Sequence, residues 1–154
     1  MTKSAPGKEP WMSPSDYGRS LKIGLGVNLL VRDVGRSVRF AEDVLGATAT
    51  YWDDSFAALR VCGAEWMLHS DHSYRDNPVR GAVDGLTARG GGVELRIYGL
   101  DPDTAEAAAR RAGATVLAGS MDKPHGLREC AIVDDDGYVW VPGVALGREP
   151  EAAS

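Results

Sequence analysis

Glu94, Arg96 and Tyr98 occupy alternate positions of Val93-Glu-Leu-Arg-Ile-Tyr98. A strand through them sets a carboxylate, a guanidinium and a phenol on one face. In a cavity, Glu94 could serve as a general base, with Arg96 or His69 holding negative charge that develops on a substrate. On a solvated face the same pair would contribute little. His69 lies two positions after Met67 and shares its face, so it reads either as a cavity residue or as a strand-end histidine in water. His69 and His72 form an HxxH pair, but at a strand end entering a loop they need not share a face, and they read as loop histidines. His125, in a glycine-containing loop before Arg128, is a loop histidine or a lid residue. Asn28 offers an amide to a ligand. Trp52, next to Tyr51, could stack a planar ligand or pack in a core or dimer contact. Arg128 alternates with Cys130 and Ile132, which leaves its face open.

Other chemistries are excluded. Cys62 and Cys130 form no CxxC and have no adjacent histidine, so they read as small buried hydrophobes. Asp134-Asp-Asp-Gly137 is a turn without EF-hand spacing. Neither a Walker loop nor GxGxxG occurs, and Arg89-Gly-Gly-Gly92 precedes a strand rather than a helix.

The elements that must position these residues come in two similar sets. Ile23–Val31 and Val93–Tyr98 open as strands, and each leads to aspartate, Asp33 or Asp101/Asp103, as a helix N-cap. Asp103 with Glu106 resembles a capping box. Helices follow over Val34–Leu45 and Thr104–Ala112, the first with a stripe of Val34, Val38, Ala41 and Leu45. Both stop at glycine, within Gly46-Ala-Thr48 and Gly113-Ala-Thr115. Three short strands follow in each half, closing on matched phrases at Trp66-Met67 and Trp140-Val141, and both tryptophans read as packing residues. The pattern is βαβββ twice, over about 21–70 and 92–147, joined by a linker at 71–91. An N-terminal arm spans 1–20 and a tail 148–154; Met1–Pro10 reads as loose, and Trp11 marks a point where the arm could dock.

Composition bounds the rest. The 154 residues, 44% hydrophobic and 25% charged, fit one domain of about 21–147. A net charge of −5 is the wrong sign for nucleic-acid binding. No apolar run is long enough for a signal peptide or a membrane span, and two lone thiols fit a reducing compartment, which together read as cytoplasmic. With only 7% aromatic residues and two tryptophans assigned to packing, few rings remain to line a pocket.

This order of features resembles the vicinal-oxygen-chelate superfamily, the glyoxalase, bleomycin-resistance and dioxygenase group. The residues that carry the resemblance are Val31-Arg-Asp33-Val-Gly-Arg-Ser37-Val-Arg-Phe40 with Leu45-Gly46, Lys123-Pro-His-Gly-Leu-Arg128-Glu129 and Asp134-Asp-Asp-Gly-Tyr-Val-Trp140. It implies an α+β fold of two βαβββ modules with cupped mixed sheets, a small-molecule cavity in the cup and a homodimer. It also implies a register for metal ligands, which here falls on Gly26, Met67, Glu94 and Val141. Only Glu94 among these is a donor for a hard divalent ion. The expectation is therefore a binding protein without metal or cofactor, of the kind that sequesters an antibiotic or natural product. Its ligand contacts would come from Asn28, Trp52, Met67, His69, Glu94, Arg96, Tyr98, Arg128 and Val141. The alternative is an enzyme of this group, a lyase, isomerase or dioxygenase-like protein with an unusual site at Glu94.

Overall fold

A computed structural model describes residues 3–7 and 11–147. The first module is β1 (Asn28–Val31), α2 (Val34–Leu45), β2 (Thr48–Trp52), β3 (Phe56–Val61) and β4 (Ala64–Ser70), preceded by a short helix α1 (Pro14–Ser20). A 3-10 turn (Asp71–Tyr74) and α3 (Val79–Val83) lead to the second module: β5 (Glu94–Tyr98), α4 (Pro102–Ala112), β6 (Thr115–Asp122), β7 (Leu127–Val133) and β8 (Val139–Ala145). The sheets have the same order, β1-β4-β3-β2 and β5-β8-β7-β6. In each the first and last strands of the module are parallel and the other pairs antiparallel. The α+β architecture of two βαβββ modules with mixed sheets is what the sequence pattern predicts.

Local chemistry explains the boundaries. The Asp33 side chain accepts from the Arg36 N–H and starts α2, and Gly46 ends it in the left-handed conformation, φ 64°. In α4 the cap is Asp101, which accepts from the Thr104 N–H. Asp103 does not cap. It pairs with Arg128, and Glu106 accepts from the Ser120 N–H instead of closing a capping box. Strand β1 is shorter than its apolar run. Gly24 has φ +132°, outside strand geometry, and Ile23 and Leu25 stand in solvent. The arm is not loose where it is described. The Gly7 N–H donates to the Trp52 carbonyl and Lys3 pairs with Asp43.

Apolar strand residues alternate toward the helices. Leu29, Val31, Leu59 and Leu68 from one sheet, and Ile97, Cys130, Ile132 and Trp140 from the other, form one continuous core with Val34, Val38, Ala105 and Ala109 of α2 and α4. The helices pack on each other, and Trp66 meets Trp140 with ring centroids 5.1 Å apart. The matched tryptophans of the repeat are therefore one contact across the module joint. Burial pushes the Cys130 thiol up to about 11, so it is an inert core residue. Each sheet turns its other face away from this core. No helix among the described residues is long and apolar enough to cross a membrane.

Candidate functional site

On the outward face of the first sheet, Tyr51 pairs with Ala58, Ala58 with Met67 and Met67 with Asn28. The next row is Phe56, His69 and Leu30. The face is hollow along these rows, and Ala58, its small member, borders the part nearer Val27. Tyr51 reaches this face because of a bulge. Ala49 pairs with Leu59 and Tyr51 with Ala58, so Thr50 is the extra residue. Without it, the alternation would place Tyr51 inward and Trp52 outward. Trp52 instead packs in the core, beneath Arg39, and donates from Nε1 to Ser4 Oγ at 3.0 Å.

Helix α1 crosses above the hollow. Its N-cap is Ser13, whose Oγ accepts from the Asp16 N–H at 3.1 Å, and Pro14 occupies the first turn. It buries no residue completely, so it is held by rings. Trp11 stacks on Tyr51 at 5.3 Å and 7°, and Tyr17 meets Phe56 edge-on at 5.3 Å. The result is a cavity of about 690 Å³ between arm and sheet, lined by Trp11, Met12, Tyr17, Leu21, Tyr51, Asp53, Phe56, Met67 and His69 among others. A second hollow of about 400 Å³ lies along Leu21–Val27 and shares Trp11, Tyr17, Leu21 and Met67. Four aromatic side chains, Trp11, Tyr17, Tyr51 and Phe56, are thus brought to one place, contrary to the expectation that few would remain for a pocket.

Polar groups sit at the cavity wall. His69 Nδ1 is 2.6 Å from Asn28 Oδ1, and Asn28 Nδ2 donates to the Tyr74 hydroxyl at 2.9 Å. The Asp53 carboxylate accepts from Tyr51 Oη and from the Ser55 and Phe56 N–H groups. Partial burial lowers the His69 pKa, and the charge of Asp53 opposes that only in part. The sign for stability follows. The unfolded chain binds the proton more readily, so stability falls as pH drops below the ordinary histidine value of about 6.5. His69→Gln is expected to flatten that limb of the stability profile, checked by urea titrations between about pH 7.5 and pH 5. An unchanged slope in the variant would assign the dependence to other groups.

The second sheet's outward face is built differently. Arg96 donates to the Glu94 carboxylate at 2.8 Å and to Tyr98 Oη at 3.2 Å, and it also binds Glu129. Burial alone would raise the Glu129 carboxyl, but His125 and Arg96 hold it below the usual range. Val141 pairs with Arg96 across β5 and β8 and is buried. The Glu94 side chain is 59% exposed, and Tyr98 is 60% exposed. Arg128 lies on the helix side, where it pairs with Asp103 and Asp122. Of the residues singled out in the sequence, the structure joins Asn28, Met67 and His69 in one group. It joins Glu94, Arg96, Tyr98 and Val141 in another, on the other sheet, and turns Trp52 and Arg128 from both. Trp11, Tyr17, Phe56, Asp53 and Tyr74 were not singled out as ligand contacts. The run Ser13-Pro-Ser-Asp16 is a helix-start signal that could have drawn attention to the arm.

The implied metal register does not fit these side chains. Gly26 and Val141 carry no donor, Met67 offers only a thioether, and Glu94 is bound by Arg96. Among the described residues no three His, Cys, Asp or Glu side chains come together as a metal site.

No family model and no curated protein matches the chain. Solved structures do. A glyoxalase/bleomycin resistance protein/dioxygenase from Nocardioides superposes with a TM-score of 0.60 at 19% identity, over 90% of this chain and 94% of that one. A glyoxalase-related enzyme from Fulvimarina pelagi gives 0.65 at 17% identity, over 86% and 98%. The fosfomycin resistance protein FosX from Listeria monocytogenes gives 0.59 at 14% identity, over 82% and 97%. The common ground is the fold.

Proposed function

With the glyoxalase/bleomycin-resistance fold as the premise, we propose that this chain is a small-molecule-binding protein that works without a metal ion. Its ligand lies between the first sheet and α1. The observation that carries the reading is the roofed cavity of about 690 Å³, a volume ordinary for a drug-sized ligand and walled mostly by rings and thioethers. Flat aromatic molecules gain most from such walls, through stacking and through apolar area removed from water. Sequestration of an antibiotic or natural product is the role this suits, and a glyoxalase/bleomycin resistance protein/dioxygenase and a fosfomycin resistance protein share the fold. Glu94 is a poor general base in this setting, because its carboxylate is exposed and already paired with Arg96.

Calorimetric titration with bleomycin-type glycopeptides and a panel of flat aromatic natural products tests the proposal. At least one micromolar binder is expected, and its affinity should fall when Met67 is replaced by Glu, which would put a charge without a counter-ion among the rings of the cavity wall. A panel without any such binder would overturn it.

A homodimer belongs to the same proposal. The second sheet presents Tyr98 and Met121 to solvent, and the segment before β1 presents Ile23 and Leu25. A second copy would cover them, and sedimentation velocity at micromolar protein is expected to show a dimer. A monomer at that concentration would remove this part.

A further inference from the structure

The cavity wall has a charge and hydrogen-bond pattern that selects among flat ligands. Among its lining residues Asp53 is anionic, and neither Lys nor Arg is present. The three hydrogen bonds to Asp53 come from a phenol and two backbone amides, none of them charged. An anionic ligand would therefore meet a like charge with no counter-ion in an apolar setting, which is costly. A cation would meet Asp53 and the negative faces of Trp11, Tyr17, Tyr51 and Phe56.

The Asn28 hydrogen bonds add direction. Its amide nitrogen is committed to Tyr74, so its oxygen faces His69 Nδ1 and needs a proton there. In the neutral ring, Nε2 is then the bare nitrogen and can only accept. Burial of the ring favours that neutral form. Among the described residues Nε2 has no hydrogen-bond partner, and His69 lines the cavity.

Building on the binding reading above, we propose that the ligand is a planar heteroaromatic amine, neutral or cationic. Its rings lie among Trp11, Tyr17, Tyr51 and Phe56, and its N–H donates to His69 Nε2. Asp53 sets the preference against anions.

Three probes with one ring system separate these features: 9-aminoacridine, acridine and acridine-9-carboxylate, titrated calorimetrically at pH 8 into the full chain. The amine is expected to bind about tenfold or more tightly than acridine, as a charge-assisted hydrogen bond would give, and the carboxylate is expected not to bind. His69→Phe should remove the hydrogen-bond share of that preference and bring the amine closer to acridine, while the share owed to its charge stays with Asp53 and the rings. Asp53→Asn, nearly isosteric, should narrow the gap between amine and carboxylate, which supplies a second readout if the histidine variant folds poorly. If acridine binds but the amine is no tighter, or the carboxylate equals it, the ligand class is wrong while the cavity still binds flat rings. If His69→Phe and Asp53→Asn both leave the selectivity unchanged, the assigned roles fall. If none of the three probes binds, the cavity reading falls with them.

Discussion

Trp11→Ala combined with Tyr17→Ala is expected to weaken acridine binding about 100-fold and to leave the protein folded. The size follows from what these rings do. Trp11 stacks on Tyr51 and Tyr17 meets Phe56 edge-on, and all four rings line the cavity, so a ligand beneath α1 packs against their edges and free faces. Each aromatic pairing is worth roughly 1 kcal/mol beyond area, and the apolar area lost adds a similar amount. A total near 3 kcal/mol corresponds to about two decades in Kd. The fold should tolerate the change because α1 buries no residue fully and the continuous core contains neither ring. Titration reads the first half of this expectation and thermal unfolding the second. Unchanged affinity with an unchanged Tm would place the ligand elsewhere, away from the arm.

That prediction rests on residues the sequence pattern did not bring forward as ligand contacts, for a physical reason. Periodicity carries across regular elements. Asp33 and Gly46 bracket α2 where the stripe of Val34, Val38, Ala41 and Leu45 places it, because cap chemistry and core burial agree. The repeated Trp66 and Trp140 meet across the joint for the same reason. A bulge breaks the inference at one residue. Thr50 adds a step to β2, and everything after it changes face, so Tyr51 lines the cavity and Trp52 enters the core.

Arg128 shows a different limit. Its parity with Cys130 and Ile132 puts it on the helix side, where it reaches the sheet margin and meets Asp103 and Asp122 from other elements. Pairing of that kind is a tertiary fact. So is the separation of His69 from Glu94. Both stand on outward faces, yet the two modules join through their helix-facing sides, and one chain does not fold them into a common cup. The arm was legible only as a possibility, since Trp11 in a polar tail signals docking without naming the surface.

The joint itself supplies the second large effect, through Asp136. Its side chain is fully buried at the tip of the β7–β8 hairpin, yet its partners belong to the first module. Oδ1 accepts from the Arg32 N–H at 3.2 Å and from Arg32 Nε at 2.9 Å, and Oδ2 accepts from Ser37 Oγ at 3.4 Å. The turn has little freedom to adapt. Gly137 has φ +90°, and a Cβ there would stand 2.7 Å from the Arg89 nitrogen and 2.8 Å from the Ala88 Cα. Nearby, Tyr138 Oη and Arg89 Nη1 both donate to the Leu30 carbonyl, at 2.9 and 3.0 Å. Asp136→Ala is therefore expected to cost about 3 kcal/mol, because it strips acceptors from one backbone N–H, one guanidinium and one hydroxyl at once. The cost stays at the low end of the range for a broken buried pair, since the Arg32 side chain is 38% exposed and can regain water. Asp136→Asn keeps the shape and part of the hydrogen bonding, and about half that loss is expected. Asp135→Ala, in the same turn, removes an exposed pairing with Arg36 at 3.6 Å and should change stability by less than about 0.5 kcal/mol. Urea midpoints of the three variants form the test. If Asp136→Ala unfolds with the midpoint of Asp135→Ala, the Asp136 bridge adds nothing measurable to the apolar core and the Leu30 hydrogen bonds that also join the modules. The expected order would show a polar bridge fixing one half of the repeat against the other.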